Sequence, residues 1–147
     1  MPGKICEVAY SVRIEADSSS VWNKICEACS ILDWNERIAK CESSLSDQGQ
    51  IVRHYTLHPV NGFTPTMVET ELLRSDAIMT ITYMVEMTIL PITDYVAQIL
   101  VTPLEDGACE AQIRSRFVDT GTGPDAAELV DGFYRVGLDA LAKLMAE

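Results

Sequence analysis

The 147-residue sequence contains no long hydrophobic run. No apolar stretch approaches the roughly 18 residues that a membrane-spanning helix needs, so we expect no membrane insertion. The amino terminus, "MPGKICEVAY", turns polar and strand-like at once and lacks the apolar core of a signal peptide. We therefore expect a cytoplasmic protein.

Basic residues are scarce. The chain has 11 lysines and arginines against 22 acidic residues, which gives a formal charge of −11. Nucleic acids and anionic membranes bind to cationic surfaces, so we exclude nucleic acid as a partner. The length suits one domain with its own core, which we expect to span residues 1–147.

Motifs for metal binding are scarce too. The segment "CEAC" at 26–29 has CxxC spacing, but no second ligand pair accompanies it. His54 and His58 lie four apart on a predicted strand, so their rings are about two strand repeats from each other. We predict no metal and no cofactor, and we interpret the cysteines as reduced structural thiols. These are Cys6, Cys26, Cys29, Cys41 and Cys109.

Alternating and turn-forming patterns predict most of the secondary structure. Residues 5–15 alternate as a half-buried strand, and Asp17 is placed to cap a helix that follows. The segment "CSILDWNERI" predicts a second short helix, and turn clusters then separate six strands. The predicted strands lie near 38–45, 50–58, 66–74, 78–87, 94–103 and 108–118.

A long amphipathic helix ends the chain, with Pro124 predicted at its first position. Gly137 falls in the middle of the apolar stripe, where glycine costs about 1 kcal/mol relative to alanine. Either the helix crosses another segment closely there, or the missing side chain leaves space above the sheet. The predicted stripe is Ala126, Leu129, Val130, Phe133, Ala140, Leu141 and Leu144.

Several stretches resemble the SRPBCC superfamily, which includes START-like domains and the polyketide cyclase/dehydrase group. The resemblance is carried by "SSSVWNKICEACSILDWNERI" (18–38), "GQIVRHYTL" (49–57), "ELLRSDAIMTITYMVE" (71–86), "ILPITDYVAQILVTPLEDGACEAQIRSRF" (89–117) and "FYRVGLDALAKL" (133–144). It implies an α+β helix-grip fold. In that fold, a curved seven-stranded antiparallel sheet wraps around a long C-terminal helix, with two short helices after strand 1.

The resemblance also implies which residues line a cavity between the sheet and the helix. Ile113 stands where many relatives carry Trp, which implies a roomier or differently shaped pocket, and Phe63 is a candidate for part of a lid. Either Glu69 or Glu71 matches the acidic position of the family. The predicted ligand-binding set is Tyr10, Trp34, Arg53, Tyr55, Glu69, Glu71, Tyr83, Tyr95, Ile113, Phe117, Phe133 and Gly137.

Arg53 is central to that set. If it faces inward, alternation also turns Tyr55 and Leu57 inward and sends His54 and His58 towards solvent. A buried arginine keeps its charge and needs a carboxylate, so we predict a pair with Glu69 or Glu71. The pair is either a structural ion pair at the sheet rim or an anchor for a ligand. In the opposite register, His54 would face inward as a proton-transfer group.

Three functions follow from these expectations. The first is binding of a hydrophobic small molecule, such as a lipid, polyketide or aromatic metabolite, in the internal cavity. The second is a polyketide cyclase/dehydratase-type enzyme that uses the same cavity, although no catalytic set can be identified from the sequence. The third is a protein-interaction module. The oligomeric state is expected to be a monomer or a homodimer.

Overall fold

The computed structural model describes residues 3–88, 90–121 and 125–147. It confirms the α+β helix-grip fold, with seven antiparallel strands in the order β1-β7-β6-β5-β4-β3-β2. Every predicted strand is present, with bounds within about two residues of the expected ones. The strands are β1 Lys4–Ile14, β2 Ile38–Leu45, β3 Ile51–Leu57, β4 Thr66–Ser75, β5 Thr80–Met87, β6 Ile92–Pro103 and β7 Cys109–Asp119.

Two short helices follow β1, as predicted. The first is α1, Ser18–Cys26, and the second is a 3₁₀ helix, Ser30–Asp33, which ends at Trp34. Asp17 caps α1, because its carboxylate accepts a hydrogen bond from the Ser20 backbone N–H at 2.9 Å. The short helices therefore lie where the resemblance implied them.

The C-terminal helix, α2, spans Ala126–Met145 and is capped by Asp125. The predicted position of Pro124 lies outside the described residues. The predicted stripe is incomplete, because Tyr134 and Leu138 are also buried on this face of the helix. The predicted stripe consists of aliphatic residues and Phe133 and omits Tyr134, whose side chain is buried against the sheet.

The cysteines contradict one expectation. Cys29 and Cys41 form a disulfide, with Cα atoms 5.7 Å apart, so the prediction of five reduced thiols is wrong for this pair. Cys29 has φ of 55° between α1 and the 3₁₀ helix, and this left-handed turn brings it beside β2. Cys6, Cys26 and Cys109 keep free thiols.

The two ends of the sheet–helix sandwich are filled differently. At one end, which we call the packed end, α2 lies against β1 and β7, and the side chains of Ile14, Cys109, Leu138 and Leu141 are fully buried. At the other, the hollow end, the concave face of β3 to β6, the 3₁₀ helix and the first half of α2 enclose a cavity. Among the described residues, no helix is both long and apolar enough to cross a membrane.

Candidate functional site

The cavity of the hollow end has a volume of about 740 Å³. This volume lies in the range of small-molecule sites. Its walls are mainly aliphatic and aromatic, with a few polar groups between them. The apolar lining includes Ile31, Leu57, Met67, Ile81, Val85, Ile99, Val130 and Phe133.

Most of the predicted ligand-binding residues lie on this lining. The structure brings nine of the twelve together around the cavity, and their part in binding a ligand remains a prediction. The nine are Trp34, Arg53, Tyr55, Glu69, Tyr83, Tyr95, Ile113, Phe133 and Gly137.

Tyr10 and Phe117 lie outside the lining. The Tyr10 hydroxyl donates a hydrogen bond to Asp139 at 2.5 Å, and the Arg135 guanidinium lies 4.5 Å above the Tyr10 ring. This partner on α2 holds Tyr10 at the edge of the sandwich. Phe117 is buried beneath Tyr95, with ring centroids 5.6 Å apart, so it supports the cavity wall without facing the space.

Arg53 faces inward and binds both candidate glutamates. Arg53 Nη2 lies 2.9 Å from Glu69 Oε1 and 2.6 Å from Glu71 Oε2, and Nε donates to the Tyr55 hydroxyl at 3.2 Å. Glu69 lies directly opposite Arg53 in the β3–β4 register. The choice between Glu69 and Glu71 is thereby resolved, because both residues pair with the arginine.

Glu71 is the third predicted residue that does not line the cavity. Arg74 donates to it through Nε at 2.9 Å and Nη2 at 2.6 Å, so Glu71 lies between two guanidiniums. Two arginines and two glutamates thus form one partly buried cluster without net charge. Strand alternation does not indicate the pairing of Arg74 with Glu71, because the β4–β5 register is irregular between Glu71 and Leu73.

The pKa values of the two glutamates of the cluster are shifted in opposite directions. Burial raises the pKa of Glu69, and Arg53 opposes that rise without cancelling it. Burial also acts to raise the pKa of Glu71, but hydrogen bonds from Arg74 and Arg53 lower it overall. Glu69 is thus the carboxylate of the cavity wall that takes up a proton more readily than an ordinary glutamate.

A second polar group lies deeper on the wall. The hydroxyls of Tyr95, on β6, and Tyr134, on α2, hydrogen-bond to each other. Burial raises the pKa of Tyr134 to about 12 and the pKa of Tyr95 and Tyr83 well above 10.0, so all three stay neutral in physiological conditions. Sequence reasoning missed Tyr134. Tyr134 lies four residues after Val130 and three before Gly137, and this helical spacing places it on the same face of α2 as those two residues.

The mouth of the cavity lies beside the β3–β4 loop. Pro59, Val60 and His58 contribute to it, whereas Phe63 is 52% exposed and not on the lining. A role for Phe63 as part of a lid stays a prediction, and Val60, which pairs with Phe63, lies on the lining.

The two histidines behave differently from each other. His54 is exposed on the outer face, as alternation predicted. His58 was also expected to point away from the cavity, but β3 ends at Leu57, alternation stops there, and His58 reaches the mouth. In the described part of the chain, His, Cys, Asp and Glu side chains form no group of three that could hold a metal ion.

Gly137 marks a close crossing. A Cβ atom built there would lie 3.0 Å from Asn35 Nδ2 and 3.2 Å from Trp34 Cζ3. Of the two explanations that the sequence left open, close packing accounts for this contact. Gly137 lets α2 approach the chain after the 3₁₀ helix, which closes one side of the cavity.

Solved structures share this architecture. An uncharacterised protein from Bacillus thuringiensis is 26% identical, with 97% of this chain and 100% of that chain covered at a TM-score of 0.80. The Zhui aromatase/cyclase from a Streptomyces species is 18% identical, with 97% and 94% covered at 0.81. A norcoclaurine synthase from Thalictrum flavum is 15% identical, with 99% and 96% covered at 0.72. For the last two, whose sequence identity is lower, the similarity is one of fold alone.

A separate comparison with curated proteins finds no match. A family model does match, over residues 6–146, and its description is "Polyketide cyclase / dehydrase and lipid transport". That range includes both walls of the cavity and the whole of α2. The chain therefore belongs to the polyketide cyclase/dehydrase and lipid transport family.

Proposed function

We propose that this protein binds a hydrophobic small molecule, such as a lipid, polyketide or aromatic metabolite, in the cavity of the hollow end. The observation that carries the proposal is an apolar space of about 740 Å³ with few polar groups on its wall. Burial of a ligand's apolar surface there supplies roughly 25 cal/mol per Å². The polar groups orient the ligand, since each unmatched polar atom in such a space is costly.

A cavity-filling substitution tests this proposal. Met67 lines the cavity, and Val68, the next residue of β4, points to the outer face. Nile red, a neutral fluorescent apolar probe, is titrated into the wild type, Met67→Trp and Val68→Trp. We expect Met67→Trp to abolish or strongly weaken probe binding and Val68→Trp to leave it unchanged. Equal affinity in all three proteins would contradict the proposal.

The natural ligand is sought separately. The protein is isolated from its native cells, and any co-purified small molecule is identified by mass spectrometry after unfolding. We expect a mainly apolar compound that is retained by the wild type and by Val68→Trp but lost from Met67→Trp.

The proposal includes a single domain over residues 1–147 that acts in the cytoplasm.

A cyclase/dehydratase-type activity is the second candidate, and Glu69 favours it. A carboxylate on an apolar wall with a raised pKa can carry a proton during aldol closure and loss of water. An aromatic diketone that closes to a UV-absorbing enone is a suitable substrate for the test. Acceleration by the wild type and its loss in Glu69→Gln would support turnover. No acceleration would leave binding alone.

The protein-interaction alternative has less support. It would be favoured if side chains filled the space between the sheet and α2, and the hollow end is open instead. A homodimer stays compatible with the proposal, because β1 and β2 are edge strands of the sheet.

A further inference from the structure

The charges on the cavity wall are unequal. Of the lining residues in the described part of the chain, two are arginines, Arg37 and Arg53, and three are glutamates, Glu27, Glu36 and Glu69. A chain with a formal charge of −11 surrounds this wall. An anionic ligand therefore enters a space whose fixed charges are net negative.

Arg53, the cation well inside the cavity, is already matched. Its Nη2 contacts two carboxylates, Glu69 at 2.9 Å and Glu71 at 2.6 Å, and only 13% of its side chain is exposed. Arg74 balances the second carboxylate from the far side at 2.6 Å. A ligand carboxylate brought to Arg53 would add a third negative charge to a neutral cluster, which is unfavourable because Arg53 and both glutamates are largely withdrawn from solvent.

Glu69, by contrast, has acceptor capacity left. Arg53 reaches only its Oε1 and the Tyr55 hydroxyl is its other hydrogen-bond partner, whereas a carboxylate offers about four acceptor positions. Deeper on the wall, Tyr95 and Tyr134 share one hydrogen bond, and the buried Ser115 hydroxyl lies beside both of them. Glu69 can therefore accept a hydrogen bond from a ligand, and because Arg53 compensates its charge it brings no unmatched charge to the wall.

We propose that the cavity selects neutral ligands with a hydroxyl group, which donates to Glu69, over carboxylate ligands such as fatty acids. This inference rests on the proposed function, because it names the ligand class of the same cavity. In this account Arg53 is a positioning residue. It holds the Glu69 carboxylate in place and compensates its charge, and it does not anchor a ligand anion.

The selection is tested at neutral pH with three naphthalenes that carry their substituent at the same ring position. They are naphthol, methylnaphthalene and naphthoate. Each competes with Nile red for the wild-type cavity. We expect naphthol to displace the probe best and naphthoate to be weaker than naphthol by about tenfold or more, because its charge stays unmatched in the cavity. Naphthoate that equals or exceeds naphthol overturns the selection, and so does methylnaphthalene that equals naphthol.

Glu69→Gln separates this charge effect from simple exclusion of ions by an apolar wall. The variant leaves Arg53 and Arg74 with Glu71 alone, so the cluster gains a positive charge. We expect the preference for naphthol over naphthoate to fall by about tenfold, which is 1.4 kcal/mol. Glu86→Gln is the control, because Glu86 is exposed on the neighbouring strand β5. An unchanged preference in Glu69→Gln overturns the role of Glu69.

The outcomes distinguish this inference from the proposed function. If Nile red does not bind to the wild type, both the proposed function and this inference are contradicted. Nile red that binds, together with naphthoate that competes as well as naphthol, removes only the ligand class and leaves the cavity as a binding site. If Glu69→Gln does not fold, the series of three ligands on the wild type still decides.

Discussion

The packed end and the hollow end of this molecule are built from the same sheet and the same helix, but they are filled differently. At the packed end, Leu138 and Leu141 of α2 are fully buried against the sheet. At the hollow end, an earlier stretch of the same helix, from Leu129 to Gly137, faces a cavity of about 740 Å³. The boundary falls at Gly137, where α2 crosses Trp34 closely.

The difference shows how one domain separates stability from binding. Close packing gives the packed end dispersion contacts on all sides of each residue. The walls of the hollow end lack such contacts on one side, and a ligand would supply them. The hollow end is instead held by specific links, which are the Cys29–Cys41 disulfide, the Arg53 cluster and the Tyr95–Tyr134 hydrogen bond.

Truncation of one leucine at each end gives the largest expected effect. Leu138→Ala should reduce the free energy of unfolding by about 4–5 kcal/mol, because it leaves a void in packed surroundings. Leu57→Ala, on the cavity wall, should cost about 2 kcal/mol, because one side of Leu57 already faces empty space. Urea denaturation measures both. Equal losses would contradict the division into two ends.

Reduction of the disulfide is expected to have the next largest effect. The Cys29–Cys41 bond closes a loop with a sequence separation of 12 residues. Its loss should cost about 3 kcal/mol of stability. The loosening should be confined to the hollow end, where Cys29 is part of the cavity lining. Hydrogen exchange with and without a reductant checks this, with Cys29→Ser/Cys41→Ser as the matched variant. Uniform loss of protection across β1 and β7 would contradict it.

Two glycines of α2 sharpen the boundary between the ends. Gly137→Ala places a Cβ against Asn35 and Trp34 and should cost about 1–2 kcal/mol, because crowding exceeds the gain in helix propensity. Gly132→Ala meets nothing closer than Arg37 at 3.9 Å and should stabilise by up to about 1 kcal/mol. Thermal unfolding compares the variants. Stabilisation by both would show that α2 does not cross Trp34 closely.

The smallest effect is a difference in pH dependence within the Arg53 cluster. The folded-state pKa of Glu71 is lowered, so its stabilising contribution is present above the unfolded value of 4.5 and is lost as pH falls through the folded value. The folded-state pKa of Glu69 is raised, so its contribution is fully present below 4.5 and is lost as pH rises through the folded value.

Urea unfolding of the wild type, Glu71→Gln and Glu69→Gln over a range of pH measures this difference. On acidification, the wild type should lose its advantage over Glu71→Gln and should gain relative to Glu69→Gln. Parallel changes in the two comparisons would show that the glutamates share one environment.

The fold could be predicted from the sequence because its signals are local. Alternation in β1 and β7, the Asp17 cap and the turn clusters each depend on a few neighbouring residues. Alternation also placed Arg53 and Tyr55 on the inner face and His54 on the outer face. Because β3 ends at Leu57, alternation could not predict the orientation of His58.

The features that the sequence did not predict depend on contacts between distant segments. Cys29 and Cys41 meet through a left-handed turn, and Arg74 reaches Glu71 through an irregular register in β4. Tyr10 carried a plausible hydroxyl, but Asp139, 129 residues further along the chain, binds it outside the cavity. Tyr134 lies on the buried face of α2 between Val130 and Leu138, and the aliphatic residues of the predicted stripe did not indicate that a tyrosine shares this face.

The most direct test of the account uses the five tyrosines of the chain, four of which line the cavity while Tyr10 does not. The protein is labelled with ¹³C in its tyrosine rings and titrated with naphthol, and the ring resonances are followed by NMR. The account predicts large shifts at Tyr83, Tyr95 and Tyr134, with the Tyr10 resonances unchanged. Shifts at Tyr10 without shifts at the other three would show that the hollow end is not the binding site.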